Sequence, residues 1–183
     1  MLFFSFTPYI CHIVNFQISI LQMPFLASEL ILNPNGSVYH LNLLPEQVAD
    51  TIFFVGDPDR VPKVSRHFDR IEHMVQKREF ITHTGELGGK HFTVMSTGIG
   101  PDNIDIVMNE LDALVNIDLN TRTIKDKHTT LDIVRIGTSG SLAAGIAIDT
   151  FVVSTIGIGL DNLLCYYDYP ANPREELLRQ AFT

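Results

Sequence analysis

The sequence predicts an α/β domain with a mixed, largely parallel central sheet flanked by helices. Short apolar runs typical of buried strands, among them 51–55 and 131–136, alternate with segments of helical periodicity. Glycine-containing turns follow three of the predicted strands, at Gly56, at 98–100 and at 137–140. Since ligands of open α/β sheets bind beyond the carboxyl ends of the strands, these turns mark the candidate functional edge.

Composition narrows the class of protein. The 183 residues are 45% hydrophobic and 19% charged, which fits one globular domain. A net charge of −8 with no block of Lys and Arg argues against a nucleic-acid partner. The two cysteines form no disulfide framework, so we expect a reducing, cytoplasmic location. No HExxH or CxxC spacing occurs, so no transition-metal site is expected.

Residues 1–28 are predicted to be an apolar N-terminal extension outside the fold. The first 22 residues contain no Asp, Glu, Lys or Arg. Polar residues interrupt them too often for a membrane span of about 20 apolar residues, and the basic region of a signal peptide is missing. We favour a start at Met23 with an upstream extension, the alternatives being weak membrane attachment and an additional ordered strand.

The first predicted elements lead up to Gly56. Asn33-Pro34-Asn35-Gly36 is a strong turn signal, and a short segment follows at 38–41. The apolar run 51–55 predicts a strand that stops at the glycine. Asp57-Pro58 supplies an N-cap and a first-turn proline, which predicts a helix over 58–68.

A hairpin and a second helix are predicted next. The extended segments 73–84 and 90–96 are separated by Gly88-Gly89 as the hairpin turn. The run Thr97-Gly98-Ile99-Gly100-Pro101 then marks a strand-to-helix junction. The helix after it carries an apolar stripe at i, i+3, i+4 and i+7 spacing, formed by Ile104, Val107, Met108, Leu111 and Leu114.

The remaining elements alternate in type again. The polar stretch 116–130 predicts a surface excursion, and a strand is predicted over 131–136. The β-branched and aromatic run 150–155 predicts a further strand, and 173–182 predicts a helix.

Arg135 ends its predicted strand directly before Gly137-Thr138-Ser139-Gly140. A cation beside glycines and hydroxyls indicates an anion pocket, although an arginine there can also extend its charged end into solvent or pair with a nearby acid. Arg60 lies in the first turn of its predicted helix, where a cation opposes the helix dipole, which suggests a ligand. Arginine suits phosphate because its planar fork donates two parallel hydrogen bonds, and helix starts offer further N–H groups.

Standard nucleotide and nucleophile motifs are missing from the sequence. GxxxxGK[ST] does not occur, and Gly98-Ile99-Gly100 lacks the third glycine of a dinucleotide fingerprint. No GxSxG elbow or catalytic Cys–His pattern is found. A phosphate held by arginines, without a covalent nucleophile, predicts that phosphate is a reactant.

Four motifs carry a resemblance to a known family. They are Gly56-Asp57-Pro58-Asp59-Arg60, Lys77-Arg78-Glu79-Phe80, Ser96-Thr97-Gly98-Ile99-Gly100 and Arg135-Ile136-Gly137-Thr138. In this order, and over about residues 37–164, the chain resembles the uridine phosphorylase branch of the purine nucleoside phosphorylase and uridine phosphorylase family. The resemblance implies that residues 29–183 form the N-terminal portion of a nucleoside phosphorylase domain.

The resemblance also implies roles for particular residues. Arg60 and Arg135 would be catalytic, and the phosphate-binding set would be Gly56, Arg60, Arg78, Arg135 and Thr138. Arg78 would reach the phosphate of a neighbouring subunit. The nucleoside-binding set would be His40, Thr138, Ser139 and Gly140, with His40 near a neighbour's ribose 5′-hydroxyl. A monovalent cation such as K+ would be held at a dimer interface by Glu79, Ile99 and Asn103. Ser139 replaces a threonine often found in the family, and Asn103 replaces an expected serine.

The activity implied by the resemblance is reversible phosphorolysis of uridine to uracil and ribose 1-phosphate, a pentosyltransferase (glycosyltransferase) reaction. Inorganic phosphate would be the co-substrate, with no organic cofactor. The partners would be uridine, phosphate and further copies of the chain, as a dimer or hexamer of dimers, and no membrane is expected. The alternatives are a purine nucleoside phosphorylase or nucleosidase of the same fold, or a non-catalytic phosphate-binding or membrane-attached fragment.

Two later segments of the family are not found in this sequence. They are a base-reading Gln-x-Arg segment and a ribose-binding Glu-Met-Glu segment. The resemblance therefore implies that the C-terminal part of the domain is missing from these 183 residues, which alone would have little or no activity.

Overall fold

The computed structural model describes residues 2–5 and 23–182. Eight strands occur in them: β1 Leu2–Ser5, β2 Thr51–Val55, β3 Arg70–Lys77, β4 Phe80–Leu87, β5 Lys90–Ser96, β6 Ile117–Asp118, β7 Thr123–Ile124 and β8 Asp132–Arg135. The α-helices are α1 Val61–Ser65, α2 Pro101–Asn116 and α3 Pro173–Phe182, and short 3-10 turns lie at Pro45–Gln47, Pro58–Arg60 and Leu163–Tyr166.

Six strands form one mixed sheet in the order β1-β8-β2-β5-β4-β3. The strand β2 pairs in parallel with β5 on one side and with β8 on the other. The pairs β1–β8, β3–β4 and β4–β5 are antiparallel. The mixed α/β fold is thus confirmed, but its parallel share is smaller than predicted, because tight hairpins join β3, β4 and β5 and such turns require antiparallel strands.

The predicted extended segment 73–84 is two strands, which corrects the sequence prediction. The chain reverses at Arg78-Glu79, so that Lys77 pairs with Phe80. Arg78 adopts a φ of 54°, a left-handed conformation that the sequence does not signal with Gly or Asn. The second hairpin is as predicted, with Gly88 and Gly89 at positive φ between β4 and β5.

The predicted helices form where their caps place them. Asp57 accepts a hydrogen bond from the backbone N–H of Asp59 at 3.0 Å, and the 3-10 turn at Pro58 leads into α1. This helix ends at Ser65, three residues before the predicted end. In α2, the stripe residues Val107, Leu111 and Leu114 are buried, and Met108 packs against them. The helix α3 has the predicted bounds.

The polar stretch 116–130 is tied to the domain rather than loose. It contains the small β6–β7 hairpin. Asn116, only 3% exposed, donates to the carbonyl of Thr129 at 3.1 Å and accepts from its N–H at 2.7 Å. Lys125 Nζ donates to the carbonyls of Leu114 and Val115, at the end of α2 where a cation complements the helix dipole.

No strand forms at 150–155, so this sequence prediction is wrong. Residues 137–161 are exposed coil. The edge of β8 that faces away from β2 is paired with β1, so the run has no free strand edge beside β8. A β-prone run without a pairing partner gains nothing from its propensity.

Both faces of the central strands β2 and β5 are covered. On one face, α2 and the loop 38–43 pack on β2, β5 and β8 around Ile52, Met95 and Ile133. On the other face, Val61 and Val64 of α1 pack with Val55 and Val94. The carboxyl ends of the central strands are therefore held in place from both sides.

Part of the predicted extension 1–28 is described. Leu2–Ser5 pairs with β8 as β1, and the N–H of Phe25 donates to the carbonyl of Arg122 at 2.8 Å. Residues 6–22 lie outside the described residues, and the boundary at residue 28 stays a prediction. Within the described ranges, no helix has both the length and the apolar character needed to cross a membrane.

Candidate functional site

The ends of three parallel strands lie side by side. Val55 of β2 is in register with Ser96 of β5, and Phe54 with Arg135 of β8. The hydrogen bonds continue past the strand ends: the N–H of Thr97 donates to the carbonyl of Val55, and that of Ile136 donates to Phe54, both at 2.8 Å. The turns that follow these strands therefore meet at one edge of the sheet, as the sequence predicts.

Glycines line the crevice at this edge. A Cβ atom at Gly56 would lie 3.6 Å from the carbonyl oxygen of Gly98 and 3.7 Å from Nη2 of Arg135. A Cβ atom at Gly137 would come closer than 3.0 Å to Nη1 of Arg135. The guanidinium of Arg135 thus lies beside both glycines; a Cβ atom at Gly137 would displace it, whereas one at Gly56 would meet it at an ordinary contact distance.

The three predicted phosphate-binding arginines have free guanidinium groups. Among the described residues, the side chains of Arg60, Arg78 and Arg135 make no hydrogen bond or ion pair. Arg60 is half-buried in the turn after β2, whereas Arg78 and Arg135 are exposed. The alternative that Arg135 pairs with a nearby acid is not what the structure shows. Unpaired guanidinium groups beside accessible backbone suit an anionic ligand.

Ser96 fixes the turn that carries Arg78. Its buried Oγ accepts from the N–H of Ile81 at 2.7 Å and donates to the carbonyl of Glu79 at 2.6 Å. The turn at Arg78 and Glu79 is therefore held at the end of β5. Arg78 itself is at a φ of 54°, and strained backbone of this kind is frequent at functional sites.

Two of the three predicted cation ligands meet over Gly98. A Cβ atom at Gly98, which has a φ of +67°, would approach Asn103 Nδ2 to less than 3.0 Å and Glu79 Cγ to 3.2 Å. The structure thus brings Glu79 and Asn103 together, and carboxylate and amide oxygens suit a hard cation. Ile99 follows Gly98 and is 95% exposed; because its side chain is a hydrocarbon without a ligand atom, only its backbone carbonyl can contribute.

His40 is anchored by Glu110 of α2. Nδ1 of His40 lies 2.7 Å from Oε1 of Glu110. The backbone N–H groups of His40 and Leu41 also donate to this carboxylate, at distances from 2.8 to 3.0 Å. The side chains of His40 and Glu110 are 28% and 15% exposed, so the contact is largely shielded from water.

Lys77 ties the His40 loop to the Arg78 turn. Its Nζ donates to Asn33 Oδ1 at 3.0 Å and to the carbonyl of Tyr39, and lies 4.4 Å from the centre of the Tyr39 ring. Lys77 directly precedes Arg78, and Tyr39 directly precedes His40. The contact between Lys77 and Tyr39 therefore links the two segments that carry Arg78 and His40, the residues predicted to reach a neighbouring subunit.

The predicted nucleoside-binding residues Thr138, Ser139 and Gly140 lie in exposed coil directly after the Arg135 crevice. Their side chains make no hydrogen bond within the described part of the chain. The structure therefore places them beside the crevice without positioning their hydroxyl groups.

Sequence reasoning missed Glu110 and Lys77. Glu110 flanks the apolar stripe of α2, directly before Leu111. An acid at the margin of a buried stripe is the signal that could have singled it out, but its partner is 70 positions away. Lys77 gave no signal beyond its place next to Arg78.

A second cleft, at the start of α2, is lined by acidic side chains, in contrast to the crevice that contains Arg135. It measures about 530 Å³ and is lined by three aspartates and apolar groups, namely Asp102, Asp105, Asp161, Pro101, Leu163, Tyr166 and Tyr167. The hydroxyl of Tyr167 donates to Asp105 and accepts from Asn109. Burial, together with the hydrogen bond to Asp105, raises the pKa of Tyr167. An acidic lining repels anions, so the Arg135 crevice stays the candidate phosphate site.

Comparison with known families gives one match over most of the chain. Residues 50–179 match the family described as the Phosphorylase superfamily. The match begins one residue before β2 and ends within α3, so it includes all three strand ends of the crevice.

Individual relatives agree with this family. The chain is 31% identical to a uridine phosphorylase of Thermococcus kodakarensis over 150 residues, covering 80% of this chain and 49% of the relative. It is 33% identical to a uridine phosphorylase of Escherichia coli over 141 residues, covering 74% and 50%. A purine nucleoside phosphorylase of Hahella chejuensis is 29% identical over 145 residues, covering 76% and 56%.

The fold also matches a solved structure. A Trypanosoma brucei nucleoside phosphorylase, whose crystal structure is described as showing uridine phosphorylase activity, aligns with a TM-score of 0.68 at 29% identity. The alignment covers 82% of this chain and 52% of that one. The chain thus spans about half the length of the relatives it matches.

Proposed function

Because the chain belongs to the Phosphorylase superfamily, we propose that it serves the reversible phosphorolysis of uridine to uracil and ribose 1-phosphate. One observation carries the proposal: the unpaired guanidinium of Arg135 lies against Gly56 and Gly137 where three parallel strands end. A planar cation beside backbone that a ligand can approach closely suits inorganic phosphate.

In the proposed reaction, phosphate is held by Arg60 and Arg135 of one subunit and by Arg78 of a neighbour. A phosphate oxygen forms a bond to C1′ as the glycosidic bond breaks, and the bonding electron pair leaves with the base. The transition state resembles an oxocarbenium ion, as in glycoside cleavage generally. The phosphate anion stabilises the cationic sugar, so positioning and electrostatics supply most of the acceleration.

The proposal includes further copies of the chain. Arg78 and His40 are linked through Lys77 and Tyr39, so both can face the same neighbouring subunit. Glu79 and Asn103 would hold K+ near that contact. The cytoplasm is the proposed location, supported by the lack of a disulfide framework in the sequence.

The test starts with phosphate binding by the 183-residue protein, measured by isothermal titration calorimetry. We expect each of Arg135→Ala and Arg60→Ala to lower the affinity for phosphate at least about tenfold, which is the equivalent of one lost charge-assisted hydrogen bond. Arg174→Ala, an exposed arginine in α3, is the matched control and should bind as the wild type does. Unchanged affinity in Arg135→Ala would refute the crevice as the phosphate site.

Product analysis distinguishes the reactions. Uracil released from uridine only when phosphate is present supports the proposal, and chromatography measures it directly. Base release without phosphate would instead indicate a nucleosidase. A preference for inosine would indicate a purine nucleoside phosphorylase, which the Hahella chejuensis relative keeps as the second candidate. Phosphate binding without any turnover would leave a phosphate-binding role alone.

A further inference from the structure

The carboxylate of Glu110, on α2, makes several hydrogen bonds with the loop that carries His40. Its Oε1 faces the ring nitrogen Nδ1 of His40 at 2.7 Å, and its Oε2 accepts from the N–H of Leu41 at 2.8 Å. The N–H of His40 lies between the two oxygens, at 2.8 and 3.0 Å. The carboxylate therefore engages one side chain and two backbone groups of the same loop.

These contacts decide which ring nitrogen of His40 carries the proton. An ionised carboxylate can only accept hydrogen bonds, so the nitrogen that faces it must be Nδ1–H. In the neutral imidazole the other nitrogen, Nε2, is then an acceptor. Nε2 makes no hydrogen bond with any residue in the described part of the chain, so its lone pair is available to a ligand.

We propose that Glu110 is a positioning residue that holds His40 as the Nδ1–H tautomer and so presents Nε2 as a hydrogen-bond acceptor for a hydroxyl group of a ligand. The tautomer part stands on the Glu110 contacts alone. Naming that hydroxyl as the ribose 5′-hydroxyl rests on the proposed function.

The loop is also held from its other side. Lys77 Nζ donates to the carbonyl of Tyr39 and stands over the Tyr39 ring, and that ring packs edge-on against the His40 imidazole with centroids 4.9 Å apart. The ring of His40 is therefore confined between Glu110 and Tyr39. The orientation of the ring therefore depends on both neighbours. Its tautomer depends on Glu110 alone, because, of the residues that the structure describes, only Glu110 contacts a ring nitrogen.

The substitution Glu110→Gln is expected to change the tautomer of His40. The amide oxygen can take the place of Oε2 and accept from the N–H groups of His40 and Leu41. The amide NH2 group then faces Nδ1, which must become an acceptor, and the ring proton moves to Nε2. The substitution should invert the tautomer of His40 while the loop stays in place.

Nitrogen-15 NMR of the imidazole rings at about pH 8.5, above the ordinary histidine pKa, measures the tautomer directly. We expect His40 of the wild type to show a protonated Nδ1 and an unprotonated Nε2. Glu110→Gln should exchange the two signals, and the backbone amide spectrum shows whether the variant is folded. Glu46→Gln, an exposed glutamate near the same loop, is the matched control and should leave His40 unchanged.

The wild-type spectrum alone can overturn the inference, because a proton on Nε2 would contradict it even if Glu110→Gln did not fold. A folded Glu110→Gln variant that kept the wild-type tautomer would also overturn it.

The ligand part is tested by titrating uridine and 5′-deoxy-5′-fluorouridine, in which fluorine can accept a hydrogen bond but cannot donate one. We expect the wild type to prefer uridine about tenfold, the equivalent of one hydrogen bond. Glu110→Gln should reduce this ratio to less than about threefold, because Nε2–H can donate to fluorine. An unchanged ratio after tautomer inversion would overturn the ligand role of Nε2. If neither nucleoside binds the wild type, the proposed function fails, whereas the spectra still decide the role of Glu110.

Discussion

Nη1 of Arg135 lies so close to Gly137 that a Cβ atom there would come nearer than 3.0 Å, a separation that real Cβ atoms essentially never show. The arginine folds back onto the backbone two residues ahead of it. Its orientation in the crevice therefore depends on the absence of a side chain at position 137. Sequence reasoning assigned Gly137 to the turn but not to the support of Arg135.

Gly137→Ala should push the guanidinium of Arg135 out of the crevice. We expect phosphate affinity to fall about tenfold with little change in stability, because the site is exposed. Calorimetric titration with phosphate measures the affinity. Gly157→Ala is the control, since a Cβ atom there would meet nothing within 4 Å. Equal phosphate affinity in the two variants would contradict the contact.

A potassium response should depend on Glu79. Its side chain and that of Asn103 meet over Gly98, where a carboxylate and an amide oxygen can face one cation. We expect potassium chloride to raise the melting temperature above that in choline chloride of equal ionic strength, because a ligand of the native state stabilises it. Glu79→Gln should abolish the difference, and Glu46→Gln should keep it. A response that survives Glu79→Gln would place the cation elsewhere.

Arg78→Gly should separate stability from function. The φ of 54° destabilises a residue with a Cβ atom by about 1 kcal/mol, and glycine adopts it without this strain. We expect the free energy of unfolding in urea to rise by roughly 0.5–1 kcal/mol, while the affinity for phosphate, measured by calorimetric titration, falls. Arg66→Gly is the control, because Arg66 has a φ of −59° and glycine there should lower stability. A loss of stability in Arg78→Gly would show that the turn is unstrained.

His83 should make stability depend on pH. Its Nδ1 lies 2.7 Å from Ser65 Oγ in the core, and burial lowers the pKa of the imidazole. Below about pH 6.5 the unfolded chain binds a proton at this position more readily than the folded one, so the free energy of unfolding falls as pH falls. The slope from one proton is at most about 1.4 kcal/mol per pH unit, and the contribution is complete above that pH.

Urea denaturation between about pH 5 and 8 measures this slope. His83→Gln keeps a partner for Ser65 but cannot titrate, so its slope should be smaller than that of the wild type. His67→Gln removes an exposed histidine and should retain the wild-type slope. Equal slopes in all three proteins would mean that His83 titrates alike in the folded and unfolded states.

Asn116→Ala should loosen the stretch that leads into β8. The buried amide bonds to both backbone groups of Thr129 and to Asp112, and removing it leaves these groups without partners. We expect a loss of about 1–3 kcal/mol in the free energy of unfolding, measured in urea. The exposed Asn120, replaced by alanine, should change it by less than about 0.5 kcal/mol. A loss as small as that of Asn120→Ala would contradict the role of Asn116.

The sequence predicts the crevice well because its signals are local. Gly56, Gly98 and Gly137 each lie within two residues of the end of a strand, and parallel strands end at a common edge. Asp57 caps its helix two residues from the bond it accepts. These features depend only on residues that are close in sequence, so hydrophobic periodicity and the positions of turn and cap residues are sufficient to find them.

What the sequence did not predict depends on partners that are distant in the chain. The reversal at Arg78 lacks a glycine because Ser96, on another strand, holds the turn. The run 150–155 has strand propensity but no free edge, which only the pairing of β1 with β8 reveals. The contact of Glu110 with His40 likewise joins residues that no local pattern connects.

The parallel pairing of Ile52 with Ile133 has a consequence for the order of folding. The β3–β4–β5 meander closes through short loops, whereas β2 and β8 can join only after a long intervening chain has been ordered, which costs loop-closure entropy. The crevice is thus completed only when two strands about 80 positions apart in the sequence pair with each other. We expect a ligand bound there to slow unfolding rather than to accelerate folding, provided that β2 and β8 pair after the transition state for folding.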